Sequence, residues 1–435
     1  MKLILSKTSK AREEIKVGGD KSITHRALIL GSIAEGTTTL KGYSKCDDCM
    51  STLEIMKKLG ITILRNEARI RIEGKGLKGL KEPNDVLNCN NSGTSMRLLS
   101  GLLSGQSFFS VLTGDSSLLK RPMKRIIEPL NLMGAQITGR DGNKFAPLAI
   151  YGNKLEAIDY KTHVPSAQVK SAILLASLYA NGISSVTEPQ KSRDHTERML
   201  NLMGAKVESA ENKITLKEKN KLVAKEISVP GDISSAAFFM VLASVIKGSR
   251  ILLKNIGINP TRTGILEVLK NMGADISIKN ERNITYEPVA DLLVKSKELK
   301  GITISGNIIP KVIDELPIIA VAATQAEGKT IIKDAEELRV KETDRIYAIA
   351  TSLKKMGAKI EEKPDGLIIE GPINLKGNIC ESFDDHRIGM ALAIAGVIAE
   401  GKTTLLESEC IDISFPEFTG ILRRVCGTNN VKEEN

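Results

Sequence analysis

The chain has 435 residues, enough for two or three domains, and its 41% hydrophobic and 26% charged content is that of a globular protein with sizeable cores. Sixty-two Lys and Arg against 52 Asp and Glu give a net charge of +10, which favours anionic partners. Aromatic residues make up only 3% and Trp is absent, so base-stacking platforms are poorly supplied and nucleic acid is not an expected partner.

The start, Met1-Lys2-Leu3-Ile4, lacks an extended apolar h-region, and the longest apolar run, Ile388 to Ala399, is too short to span a membrane. A cytoplasmic protein without a membrane partner is therefore expected. Six scattered cysteines (Cys46, Cys49, Cys89, Cys380, Cys410 and Cys426) do not suggest a disulfide framework. Cys46 and Cys49 have CxxC spacing, but no second pair answers them, and packing is the favoured reading.

The first predicted helix opens at Gly18-Gly19-Asp20-Lys21-Ser22-Ile23-Thr24-His25-Arg26. Glycines allow close backbone approach, and a helix N-terminus flanked by Lys and Arg suits phosphate or carboxylate. Alone, the stretch is equally a capped surface helix with solvated cations. The rest of the chain is periodic. Leu53 to Gly60 reads as a helix closed by a left-handed glycine, and the tag returns at Leu130–Gly134, Leu200–Gly204, Leu269–Gly273, Leu353–Gly357 and, worn, Leu422–Gly427. A second tag runs in phase: a helix ending in glycine enters a β-branched strand at Gly36, Gly328 and Gly401, with looser copies around Gly105, Gly182 and Gly248. The expectation is six repeats of helix, strand, helix and strands.

Each first helix opens on N-cap residues, glycine or proline: Gly19–Ser22, Asn91–Thr94, Pro165–Gln168, Pro230–Ser235, Asp314–Pro317 and Asp384–Arg387. These helices are apolar nearly all round and should be buried, so that their N-termini converge if the repeats pack about an axis. A solenoid is the other use of a repeat, but a period near 70 is long for one. Two halves of three repeats fit the length, with a joint near Ser228–Gly231, after the charged stretch Lys217 to Glu226. A second joint is expected at polar Lys10–Glu14.

The same residues carry a resemblance. Gly-Asp-Lys-Ser-Ile-Thr-His-Arg at 19–26, Asn-Ser-Gly-Thr at 91–94, Lys-Arg-Pro-Met at 120–123, Ser-Ala-Gln-Val-Lys-Ser-Ala at 166–172, Arg-Val-Lys-Glu-Thr-Asp-Arg at 339–345 and Asp-Asp-His-Arg at 384–387 resemble the 5-enolpyruvylshikimate-3-phosphate synthase family from Lys21 to Pro416. The resemblance implies an α/β (α+β) fold of two similar domains, each of three βαβαββ units with pseudo-threefold arrangement around buried helices. The expected domains are 14–228, and 1–13 with 229–435, with the active site in their cleft.

It also implies transfer of the enolpyruvyl group of phosphoenolpyruvate to the 5-hydroxyl of shikimate 3-phosphate, on the route to chorismate and aromatic amino acids. Lys21, Ser22, Arg26, Ser166, Ala167, Gln168, Arg193, Asp314 and Lys341 would meet shikimate 3-phosphate. Lys21, Asn91, Gly93, Arg121, Gln168, Arg345, His386 and Arg387 would meet phosphoenolpyruvate. Lys21, Asp314 and Glu342 would be catalytic: Asp314 as base toward the hydroxyl, Glu342 as proton donor to the methylene carbon, and Lys21 between hydroxyl and leaving phosphate. A monomer acting on small molecules is expected, without cofactor or metal, because the cations do a Lewis acid's electrostatic work. His25 reads as a structural neighbour of Arg26, His195 is evenly balanced between site and structure, and His163 carries no signal.

The chain departs from the family's pattern. Gly18 stands where Pro is frequent, Asn90 replaces a common Gly, Ala167 replaces a serine that some members use toward phosphate, and Glu337 stands where some members have Asn. Ile413 stands where many members have a lysine for phosphoenolpyruvate, which weakens the expectation that glyphosate-like anions compete at the donor site. An enolpyruvyl transferase acting on UDP-N-acetylglucosamine is the alternative enzyme, but that family places a cysteine before its arginine, and residues 115–121 contain none. RNA 3′-phosphate cyclases share a related repeat fold, but no nucleotide-binding motif appears.

Overall fold

In the computed structural model, which describes residues 1–217 and 221–434, the chain divides into two compact bodies. The amino-terminal body is Gly19–Val229 with Ile284–Tyr286, and the carboxy-terminal body is Met1–Gly18, Pro230–Asn283 and Glu287–Asn435. Among the described residues each contains three four-stranded mixed sheets and the helices connecting their strands, and the amino-terminal body adds a short parallel pair, Leu155–Glu156 with Ala180–Asn181.

The fifth repeat shows the plan. Strand Thr303–Ile304 runs parallel to Gly328–Ile332, which pairs antiparallel with Gly366–Gly371, whose other neighbour is Lys359–Lys363. A parallel pair needs a crossover helix, and here it is Leu316–Thr324, every residue of which is buried. The equivalent inner helices are α1 (Lys21–Ser32), α2 (Gly93–Ser104), α3 (Ala167–Ser177), α4 (Ile233–Val245), α5 (Leu316–Thr324) and α6 (His386–Ile398). All are buried along most of their length, as their all-round apolar pattern requires.

The outer helices are amphipathic, and each ends one or two residues before its tag glycine. The six tag glycines, Gly60, Gly134, Gly204, Gly273, Gly357 and Gly427, all have positive φ, between 87° and 101°, although Gly427, with ψ 143°, is extended in ψ. No side chain is comfortable there, so the recurring tag is a backbone requirement. The second tag has one exception. Gly105 has φ −92°, and what fixes it is space, since a Cβ would lie 2.3 Å from the ring of Tyr179. Gly101 serves helix packing, as its missing Cβ would meet the carbonyl oxygen of Ala172 at 2.0 Å where α2 crosses α3.

Three repeats are completed by strands distant in sequence. Glu226–Ser228 supplies the opening strand of the first sheet, parallel to Glu35–Lys41. Strand β1 (Lys2–Ser6) lies between Lys402–Leu406 and Val431–Glu434, completing the sixth sheet. Strand β2 (Arg12–Ile15) runs parallel to Arg250–Leu253 and opens the fourth. The polar stretch Lys10–Glu14, expected as a joint, is therefore largely strand. It reads as a linker because an edge strand keeps charged side chains outward, and the chain leaves the carboxy-terminal body at Gly18–Gly19 instead of 13–14. The second crossing lies at Val229–Pro230. Of the charged stretch 217–226, residues 218–220 lie outside the described residues.

Among the described residues no helix is long and apolar enough to cross a membrane. The apolar run at 388–399 lies mostly on α6 in the core of the carboxy-terminal body. Four rings, Phe238 and Phe239 of α4 with Phe415 and Phe418, close that core, with centroids 5.7 to 6.3 Å apart. Ile413 is partly buried and packs against the same core.

Candidate active site

In the amino-terminal body the openings of α1, α2 and α3 are tied to one another by side chains. Asp20, Ser92 and Ser166 cap them, accepting from the backbone N–H of Ile23, Ser95 and Val169. Such caps are each worth about 1 kcal/mol. Arg26 of α1 donates from Nη2 to Ser171 Oγ of α3 at 2.8 Å, and from Nε to Thr196 Oγ1 at 2.6 Å. Its Nη1 reaches the Ser22 carbonyl at 3.0 Å. Arg97 of α2 donates to Gln168 Oε1 of α3 at 2.7 Å, and Gln168 Nε2 donates back to Thr94 Oγ1 at 3.0 Å. His25 Nδ1, Thr52 and Ser95 form a buried chain of 2.8 and 2.6 Å bonds linking α1 to α2.

Lys21, the first residue of α1, pairs with Asp48 at 2.7 Å. Asp48, inside Cys46-Asp47-Asp48-Cys49, is not among the expected site residues, because its partner lies 27 residues away in sequence. Both cysteines are buried free thiols, as are the other four. Arg121 Nη2 donates to Asn91 Oδ1 at 2.6 Å, and Asn91 in turn donates to Asp115 at 2.7 Å. A Cβ on Gly93 would lie 2.8 Å from Arg97 Nη1 and 3.3 Å from Arg121 Nη1. Only glycine leaves that space between two guanidinium groups open. Burial is the main cause of the lowered pKa of Arg26, about 10, with Glu197 and Asp20 opposing it and Arg193 adding to it. Burial also holds His25 well below its ordinary value, helped by Lys21 and Arg26.

In the carboxy-terminal body the centre is Arg345, 2% exposed, at the start of helix Arg345–Lys355. Its Nε donates to Asp385 Oδ2 at 2.7 Å, its Nη2 to Glu342 Oε2 at 2.6 Å, and its Nη1 reaches Asp314 Oδ1 at 3.5 Å. Burial alone would lower its pKa, but Asp385, Glu342 and Asp314 outweigh that and raise it. Asp385 also caps α6, accepting from the backbone N–H of Arg387 at 2.8 Å. The guanidinium thus joins the carboxylates expected to act as base and acid to the opening that carries His386 and Arg387, both buried. Lys341, next to Glu342, has a pKa lowered chiefly by burial, against the pull of Asp314. Ser234 donates to Glu315 and accepts from Arg262 at 2.7 Å, which ties α4 to the start of α5.

The expected site residues therefore form two groups. Lys21, Ser22, Arg26, Asn91, Gly93, Arg121, Ser166, Ala167, Gln168 and Arg193 belong to the amino-terminal body, and Asp314, Lys341, Glu342, Arg345, His386 and Arg387 to the other. His195 is buried and opens helix His195–Leu202, whereas His163 is exposed. Among the described residues no group of three or more His, Cys, Asp or Glu side chains is arranged to hold a metal ion.

Residues 5–422 match the family described as EPSP synthase (3-phosphoshikimate 1-carboxyvinyltransferase). A 3-phosphoshikimate 1-carboxyvinyltransferase from Geotalea daltonii is 54% identical over 426 residues, covering 98% of this chain and 99% of its own. The solved EPSP synthase from Acinetobacter baumannii is 45% identical, with a TM-score of 0.89 over the full length of both chains. The enolpyruvyl transferase NikO from Streptomyces tendae, at 14% identity and a TM-score of 0.78 over 98% of this chain and 97% of its own, shares the fold.

Proposed function

The chain belongs to the EPSP synthase (3-phosphoshikimate 1-carboxyvinyltransferase) family, and from that premise we propose that it joins the enolpyruvyl group of phosphoenolpyruvate to the 5-hydroxyl of shikimate 3-phosphate. The hydroxyl oxygen attacks C2 of phosphoenolpyruvate while C3 takes a proton, giving a tetrahedral intermediate. Loss of a proton from C3 and of phosphate from C2 then restores the enol ether. One proton enters and one leaves carbon, so the site needs a group that can give a proton and one that can take it.

Asp314 takes the hydroxyl proton and Glu342 protonates the methylene carbon. The observation that carries this reading is that one buried guanidinium, Arg345, holds both carboxylates, at 3.5 and 2.6 Å. A glutamate beside a cation favours its charged form, and the arriving phosphate and carboxylate of the donor push it back toward the acid. Lys21 bridges the hydroxyl and the leaving phosphate. Arg26, Ser22, Ser166, Ala167, Gln168, Arg193 and Lys341 receive shikimate 3-phosphate. Arg121, Asn91, Gln168, His386, Arg387, Arg345 and the backbone at Gly93 receive phosphoenolpyruvate.

Among the described residues Arg387 has no carboxylate partner and is only 7% exposed, a buried cation suited to an incoming anion. The protein would act in the cytoplasm as a monomer, with both bodies contributing to one site. Phosphate release measured with shikimate 3-phosphate, UDP-N-acetylglucosamine and RNA 3′ ends tests the reading. Turnover with the second acceptor and none with the first overturns it. Small-angle scattering should show compaction on adding shikimate 3-phosphate, and an unchanged profile counts against joint contribution.

A further inference from the structure

Lys170 lies on α3, two residues beyond Gln168, and its side chain is 0% exposed. Its ammonium meets Glu188 Oε2 at 2.8 Å and Glu197 Oε1 at 2.8 Å, and both carboxylates are themselves buried. Burial pulls the ammonium's pKa down, yet the two carboxylates outweigh it, so the group stays charged. Glu188 Oε1 and Glu197 Oε2 are buried without a hydrogen-bond partner among the described residues. A triad of this kind is a poor source of stability, because apolar side chains of similar volume often serve as well or better. Its presence calls for another reason.

The two carboxylates bracket one segment. Glu188 directly follows strand Ser184–Thr187, and Glu197 lies in the first turn of helix His195–Leu202. Between them runs the turn that carries Arg193. Glu188 Oε2 also accepts from the backbone N–H of Ser192 at 3.2 Å, so it holds the residue just before Arg193 directly. On the other side Thr196, next to Glu197, bonds both Arg26 Nε at 2.6 Å and Ser171 Oγ at 2.6 Å. Ser171 is the residue after Lys170. One lysine thus fixes both ends of the Arg193 turn to the helix that also steadies Arg26.

We infer that Lys170 is a positioning residue for the acceptor substrate: through Glu188 and Glu197 it sets Arg193 and Arg26 where the phosphate of shikimate 3-phosphate is received. The inference rests on the reaction proposed above. The donor side does not depend on this clamp. The start of α3 is held separately by its Ser166 cap and by the Gln168 bonds to Arg97 and Thr94, and Arg121 is held by Asn91.

The test is steady-state kinetics of the full-length protein with both substrates varied, with melting temperature recorded for each variant. Wild type must first turn over shikimate 3-phosphate with phosphoenolpyruvate; if it does not, the proposed reaction fails, whatever the variants do. Lys170→Met should raise the KM for shikimate 3-phosphate on the order of tenfold to a hundredfold, the scale of misplaced binding groups, with the KM for phosphoenolpyruvate close to wild type. Glu188→Leu leaves Lys170 paired with Glu197 but frees the Ser192 end of the turn, and should show the same split to a smaller degree. It becomes the deciding variant if Lys170→Met does not fold. Equal rises in both KM values, or a lower melting temperature with an unchanged KM for shikimate 3-phosphate, would overturn the inference.

Discussion

Arg26 and Arg345 are both buried, at 4% and 2% exposure, and their surroundings are opposite. Arg26 is held by two hydroxyls and a carbonyl, all neutral, and its pKa is lowered. Arg345 is held by three carboxylates, and its pKa is raised. A buried cation bonded only to neutral groups is costly; Glu197 and Asp20 offset part of that cost for Arg26, and an incoming phosphate would offset more. A cation already ringed by carboxylates gains less from an anion and instead sets the charge and position of its ring. On the proposed reaction, the amino-terminal body would receive charge and the carboxy-terminal body would place the groups that move protons.

The largest effect should come from Lys21, the cation assigned to the reacting atoms. Lys21→Ala should lower turnover by roughly 10²–10⁴-fold, as loss of an acid–base group does, and near-normal turnover would end its assigned role. Arg345→Met attacks the other body. It leaves the fully buried Asp385 without its cation, with Glu342 and Asp314 beside it, and should cost about 3–5 kcal/mol of stability in chemical denaturation. Arg26→Met should divide the two effects. It strands hydroxyls instead of charges, so stability should fall by only about 1–2 kcal/mol, while the KM for shikimate 3-phosphate rises roughly ten- to a hundredfold. If Arg26→Met unfolds the protein as readily as Arg345→Met does, the contrast between the bodies is false.

The smallest effect is a slope. His25, packed among Lys21, Arg26 and Thr52, is held neutral in the folded state by its depressed pKa. The unfolded chain takes up the proton below about pH 6.5, so His25 makes stability fall as pH drops through that value, by at most about 1.4 kcal/mol per pH unit. His25→Gln should flatten the dependence of stability on pH between about 6.5 and 5.5. An unchanged slope would mean that burial, with Lys21 and Arg26 beside it, does not hold His25 neutral.

Much of this was legible from residues alone, and for physical reasons. A positive φ at a helix end admits little but glycine, so all six tags could be read from spacing and were found with positive φ, Gly427 alone departing from the left-handed cap in ψ. N-caps at Asp20, Ser92, Ser166, Asp232 and Asp385 arise from side chains short enough to reach the backbone. Glu315 is the exception, and proline does the opening there.

The features that escaped notice depended on partners far away in sequence. Strand β2 is polar because it lies at a sheet edge, and composition cannot tell that from a linker. Asp48 acquires its meaning only from Lys21, and Lys170 looks like an interruption of an apolar helix until Glu188 and Glu197 are found beside it.

The placement of β1 and β2 also dictates an order of events. Leu3 pairs with Leu405 and with Glu433, so the sixth sheet cannot close until nearly the whole chain exists. The amino-terminal body draws almost entirely on residues 19–229 and can form while the two early strands wait unpaired. Folding during synthesis should thus be asymmetric, because contacts of such separation are slow to close. The late body is exposed to mispairing for longest, and in pulsed hydrogen exchange its sheets should gain protection last.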